Sequence, residues 1–246
     1  MRQVFIFLIS IVLLASTASA DSFGKLKGQT FGSGSTAVVV TLHGDVSRGG
    51  PADYHYASAK SIAAKNKGVT SIALLRPGYS DRAGQKSGGS NNGRRDHYTK
   101  RNNDLVAAAL KDIKARYKAR KLIVVGHSGG AAQTGAIIGR YPNLIDGAVL
   151  VSCPCHIANW RNAKGGSPWP SSQSPHRYLK KVSKSTAIVV INGSQDSNTR
   201  PAQAKAYVAL AKKSGLNPSY VEIGGAGHGF NKMSRKIAST VGKMTR

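Results

Sequence analysis

The sequence predicts an α/β fold: a mostly parallel central sheet with helices on both faces, and a small cap segment. Three observations carry the prediction. Apolar runs of strand length alternate with helix-compatible stretches over residues 36–246. The polar turns that hold His43, Ser128, Asp196 and His228 each follow an apolar run directly. Residues 121–140, KLIVVGHSGGAAQTGAIIGR, read as strand, abrupt turn and helix in immediate succession.

Along the chain, residues 1–20 combine Arg2, an apolar run and Ala18-Ser19-Ala20, the pattern of a secretory signal peptide with its cleavage site. The run is shorter than the roughly 20 residues that span a bilayer. The mature chain is therefore expected to begin near Asp21, to be secreted or periplasmic, and to keep no transmembrane anchor after cleavage. What remains, residues 21–246, has the size of one α/β domain.

Residues 21–35 are rich in Gly and Ser and predict one or two short edge strands, with Phe23 and Phe31 buried. Strand 36–42 follows and ends at His43-Gly44-Asp45. A helix is predicted over 52–65, with Pro51 near its start, and a strand over 69–75. Residues 84–93 read as a mobile surface loop. In helix 99–118, Leu105, Val106, Ala109, Leu110 and Ile113 share a face, while Asp104 and Asp112 are surface or capping charges. Strand 145–152 comes after the helix that ends near Tyr141-Pro142. Residues 153–184 form the cap-like segment, where Trp160, Trp169 and Tyr178 are candidates to line a pocket or to anchor the segment. Strand 186–192, helix 201–214, strand 219–223 and a helix from about Lys232 complete the order.

The chain carries 36 Lys and Arg against 10 Asp and Glu, a formal charge of +26. Its basic residues are scattered, which marks a solvated surface drawn nonspecifically to anionic surfaces or acidic polysaccharide. No recognisable module points to dedicated nucleic-acid binding. Cys153 and Cys155 flank Pro154. An oxidising compartment permits a bond between them, but the spacing suits the usual Cα separation poorly. Free thiols, a strained redox-active pair and intermolecular bonding all stay open. Two cysteines do not make a structural zinc site.

Gly126-His127-Ser128-Gly129-Gly130 fits a nucleophile elbow. The pentapeptide alone is weak, since a chain of this composition yields roughly 0.3 matches by chance. The flanking strand and helix give it weight. A serine needs a base in reach and a carboxylate to orient that base. His228 lies after the last strand and Asp196 after the strand before it, so both leave the same sheet edge as Ser128. The remaining candidates fall away by position. His43 belongs to the turn after strand 36–42, His127 is the variable residue of the elbow, and His55, His97, His156 and His176 precede the last two strands. Asp146 begins a strand at the opposite edge, and Glu222 lies inside one. The amides of Gly129 and Asp45 are the expected oxyanion donors.

These motifs, LHGD, RPGYSD, GHSGG, NGSQD and GAGHGF, span most of the mature chain, which resembles the α/β-hydrolase superfamily. The likeness is nearest to small dienelactone-hydrolase-like and prolyl-oligopeptidase-like catalytic domains. The resemblance implies acyl transfer through Ser128, without metal or organic cofactor, on a small-molecule ester. One alternative is a serine peptidase of the same fold, which usually carries a gating domain that this chain has no room for. The other is a noncatalytic polyanion-binding protein with a hydrolase body.

Overall fold

The computed structural model describes residues 21–246; the predicted signal peptide lies outside the described residues. Eight strands form one sheet: β1 (Asp21–Phe23), β2 (Leu26–Phe31), β3 (Ala37–Leu42), β4 (Val69–Leu74), β5 (Lys121–His127), β6 (Gly147–Val151), β7 (Ala187–Gly193) and β8 (Ser219–Ile223). Their order is β1-β2-β4-β3-β5-β6-β7-β8. From β4 to β8 every pairing is parallel, whereas β1 and β2 form an antiparallel edge. The reversal of order about β3 and β5 is where an open parallel sheet leaves a crevice above its strand ends.

Alternation along the strands builds two cores. Val38, Val40 and Leu42 of β3 face one cluster, and Ala37 and Val39 face the other. The first cluster is closed by α2 (Lys100–Tyr117), α3 (Gly129–Arg140) and α5 (Pro201–Lys213), through Leu110, Ile137 and Tyr207 among others. The second is closed by α1 (Tyr56–Lys65) and α6 (Ser234–Met244), through Ile62, Ile237 and Val241. Thr99 caps α2 by accepting the Asn102 amide, and Pro201 opens α5.

Several expectations shift in detail. Helix α1 begins at Tyr56 rather than at residue 52, because the Ala52 amide is taken by the Ser80 carbonyl and residues 53–56 turn first. That turn delivers Tyr54 to the strand ends. Phe23 is buried, but Phe31 is only half-buried.

Residues 84–93 were expected to be mobile, and the structure pins them. Buried Ser87 donates to the Leu75 carbonyl at 2.7 Å, and the Gly88 amide donates to the Lys25 carbonyl at 2.8 Å. A polar sequence can satisfy its backbone against neighbouring loops as well as against water.

The segment over 153–184 contains α4 (Ile157–Asn162) and a 3-10 turn at Pro175–Lys181 that packs on α3. Cys153 and Cys155 are joined by a disulfide, with their Cα atoms 5.1 Å apart. That separation lies within the span disulfides ordinarily bridge, so the expected obstacle is absent. Among the described residues, no helix is long and apolar enough to cross a membrane.

Candidate active site

The site is assembled from loops at the C-terminal ends of β3, β5, β7 and β8. Ser128 sits between β5 and α3 with φ 52° and ψ −117°, a conformation that costs about 1–3 kcal/mol and needs the surroundings to enforce it. Two close approaches do so. A Cβ on Gly126 would stand 2.5 Å from the Gly130 carbonyl oxygen, and one on Gly130 would stand 2.5 Å from that of Leu42. Only glycine at both positions lets the turn close this tightly.

Ser128 Oγ and His228 Nε2 are 3.0 Å apart, and His228 Nδ1 lies 3.0 Å from Asp196 Oδ2. Asp196 is buried. Its Oδ1 accepts the amides of Asn198 and Thr199, each at 2.9 Å, and its Oδ2 accepts the Thr199 hydroxyl at 2.7 Å. Burial opposes its charge, but the bonds from His228 and Thr199 outweigh that and hold the carboxyl at about 2. The structure thus brings Ser128, Asp196 and His228 into one hydrogen-bonded line. Asp146 lies at the opposite sheet edge, where its Oδ2 accepts the Leu122 amide at 2.7 Å.

Gly129 contributes the first free N–H of α3, and Asp45 lies in the His43-Gly44-Asp45 turn that follows β3. Among the described residues, neither amide has an acceptor within the protein. The Asp45 side chain turns inward. It pairs with fully buried Arg76 at 3.0 Å, lies 3.4 Å from His97 Nε2 and accepts the Tyr98 hydroxyl. Burial opposes its charge here too, and His97 and Arg76 hold the carboxyl well below the usual carboxylate range. Arg76 also donates to Gln133 Oε1 at 2.6 Å and to the His43 carbonyl at 3.2 Å. One buried guanidinium therefore ties the β3 turn to α3 from behind.

His127, set aside in the sequence as the elbow's variable residue, has two partners here. Its Nδ1 meets Tyr54 Oη at 2.6 Å, and its Nε2 meets the His228 carbonyl at 2.8 Å. Tyr54 Oη accepts the Gly44 amide, so the phenol donates to Nδ1 and the imidazole donates from Nε2. Burial and the nearby His228 hold His127 down at about 3, so the ring is neutral at pH 7. Neither His127 nor Thr199 carried a sequence signal beyond its neighbourhood to a motif.

A cavity of about 690 Å³ opens onto Ser128 and His228, lined in part by Trp160, Trp169 and Phe230. Tyr178 lies elsewhere, against Gly139 of α3. Among the described residues, no cluster of three or more His, Cys, Asp or Glu side chains is arranged to hold a metal ion.

The strand order, the strained serine turn and the loops that carry Asp196 and His228 define an α/β-hydrolase of the esterase and serine-peptidase kind. More narrowly, the chain belongs to the prolyl oligopeptidase family, whose family model matches residues 82–245. No curated protein sequence matches the chain. Among solved structures it is similar to esterase PE8, with TM-score 0.67 and 15% identity over 89% of this chain and 99% of that one. It is similar to the Pyrococcus furiosus esterase Pf2001, with TM-score 0.66 and 17% identity over 89% and 86%. An acylaminoacyl peptidase matches with TM-score 0.67 and 15% identity, over 89% of this chain and 38% of that one. At such identities the likeness is one of fold.

Proposed function

We propose that the protein is an exported serine hydrolase that cleaves carboxylic esters through an acyl-enzyme on Ser128. The observation that carries the reading is the continuous line from Ser128 Oγ through His228 to buried Asp196. In this mechanism His228 Nε2 takes the hydroxyl proton as Ser128 Oγ attacks the ester carbonyl. The developing oxyanion lies against the amides of Gly129 and Asp45. His228 returns the proton to the leaving alcohol, then activates a water that releases the acid and frees Ser128. Asp196 keeps the imidazole in the tautomer with Nδ1 protonated and stabilises its charged form.

Two points favour esters over peptides. The two esterases named above are matched over nearly their whole lengths, while the acylaminoacyl peptidase is matched over a minor part of its own. An ester also leaves as an alcohol, which asks less of the general acid than an amine does. Export is read from residues 1–20, and since Arg2 is the one charged residue among them, nearly all of the chain's formal charge of +26 would stay with the exported protein and hold it to anionic surfaces.

The test is hydrolysis of activated acyl esters, from acetate to long chains, beside aminoacyl amides, by the mature protein and by Ser128→Ala. Ester turnover that disappears in the variant is expected. Turnover of the amides alone would replace the reading with a peptidase. Full ester turnover by Ser128→Ala would reject Ser128 as nucleophile.

A further inference from the structure

The cavity beside Ser128 is charged in one sense. Arg48, Arg94, Arg95, Arg161 and Lys164 line it, and Asp45 is the only acidic residue among its lining. The Asp45 carboxylate is already matched by Arg76 and Tyr98. No acid is left to balance the five cations.

The cations are not equivalent. Arg94 lies over the Tyr79 ring and donates to the carbonyls of Val46 and Gly50, so it pins the loop that carries Arg48. Arg161 lies over the Trp160 and Trp169 rings, and Lys164 reaches Asn198 Oδ1 at 2.5 Å. Arg48 and Arg95 are exposed and, among the described residues, their side chains make no hydrogen bond or ion pair. Two guanidinium forks thus stand open in the lining of the cavity, and a guanidinium matches a carboxylate in paired hydrogen bonds. In the same lining, Trp160 and Trp169 meet edge to face at 5.2 Å and give an aromatic wall over which Arg161 and Lys164 lie.

We propose that this cavity selects esters that carry a carboxylate on an apolar or aromatic body, with Arg48 and Arg95 as the specificity-determining pair. The proposal rests on the reading of Ser128 as the nucleophile. The aromatic wall takes the body and the open guanidiniums take the anion. The ester carbonyl is left at Ser128.

The test separates selectivity from turnover. Binding of 4-acetoxybenzoate and of its neutral analogue 4-acetoxybenzamide to Ser128→Ala is measured by calorimetry at low salt. The same is done in that background with Arg48→Gln/Arg95→Gln, and with Lys212→Gln/Lys213→Gln, which removes equal charge from exposed residues at the end of α5. The acid is expected to bind roughly tenfold more tightly than the amide, with the advantage shrinking as salt rises. Arg48→Gln/Arg95→Gln should bring the two ligands to parity, and the lysine variant should keep the preference. Equal binding of acid and amide, no detectable binding of the acid, or an equal loss in the lysine variant would each overturn the proposal. Failure of the unmutated protein to hydrolyse either ester would instead count against the reading of Ser128, because the binding comparison requires no turnover.

Discussion

Tyr54 Oη donates to His127 Nδ1 at 2.6 Å, a bond that joins the loop before α1 to the turn that carries Ser128. On one side Tyr54 holds the Gly44 amide, next to the Asp45 donor; on the other His127 holds the His228 carbonyl. In the proposed mechanism, His127 therefore sets the distance between His228 and the amides of Gly129 and Asp45. His127→Phe should retain the fold and lower kcat by about 10²-fold with little change in KM, since a displacement near 1 Å costs that much. Steady-state kinetics with a circular-dichroism control checks it. A proportionate rise in KM at unchanged kcat would place His127 in substrate binding instead.

Thr199 donates to Asp196 Oδ2, which lies 3.0 Å from His228 Nδ1 beside Oδ1 at 3.1 Å. Thr199→Val removes that hydroxyl at nearly constant volume, and should reduce kcat about tenfold by loosening the carboxylate. Asp196→Asn is expected to cost on the order of 10⁴-fold, because His228 then loses the partner that fixes its tautomer. The two variants measured together rank anchoring against charge; a larger loss from Thr199→Val would invert the assignment.

Arg76 and Asp45 form an ion pair whose guanidinium is fully buried. Removing one member strands the other, so Arg76→Met should destabilise the protein by about 3–5 kcal/mol. Arg76→Met with Asp45→Asn should cost less than the sum of the single changes, as coupled neighbours do. Urea denaturation of the four proteins closes the cycle, and strict additivity would show that the pair is not coupled.

Buried imidazoles set the acid limit. Burial, first among the causes, holds His127 at about 3, His55 at about 4 and His43 well below its ordinary value. Each has a folded pKa below its unfolded one, so the unfolded chain binds more protons as pH falls below about 6.5. Their contribution to stability is complete above that pH and is lost on acidification, by up to about 1.4 kcal/mol per pH unit for each ring. Asp196 adds to the loss only between about pH 4 and 2. The melting temperature should therefore fall steeply from pH 6.5 to 4, and His127→Phe should flatten the slope. A melting temperature constant over that interval would contradict this account.

Much of the fold was legible because it rests on period and punctuation. Leu122 to Val125, then Gly126 and Gly130, announce a strand and a tight turn, and the structure adds the carbonyl contacts that exclude a side chain at both glycines. The loops holding Asp196 and His228 were placed by strand order alone. What the sequence could not reveal are bonds between residues remote in sequence. Nothing near Tyr54 announces His127, and nothing in the polar loop of residues 84–93 announces that Ser87 is buried. The Cys153 and Cys155 pairing likewise depended on how the backbone bends around Pro154, which spacing does not specify.

Helix α3 is buried from Gly129 to Gly139, with the sheet on one flank and the Pro175–Lys181 turn on another. A larger side chain there has nowhere to go. Arg48, Arg95 and Lys164 stand on exposed ground and can be exchanged without disturbing it. A molecule divided in this way changes its clientele more readily than its trade. On the proposed reading, successive surface substitutions would recruit new substrates while Ser128 beneath them keeps the same reaction.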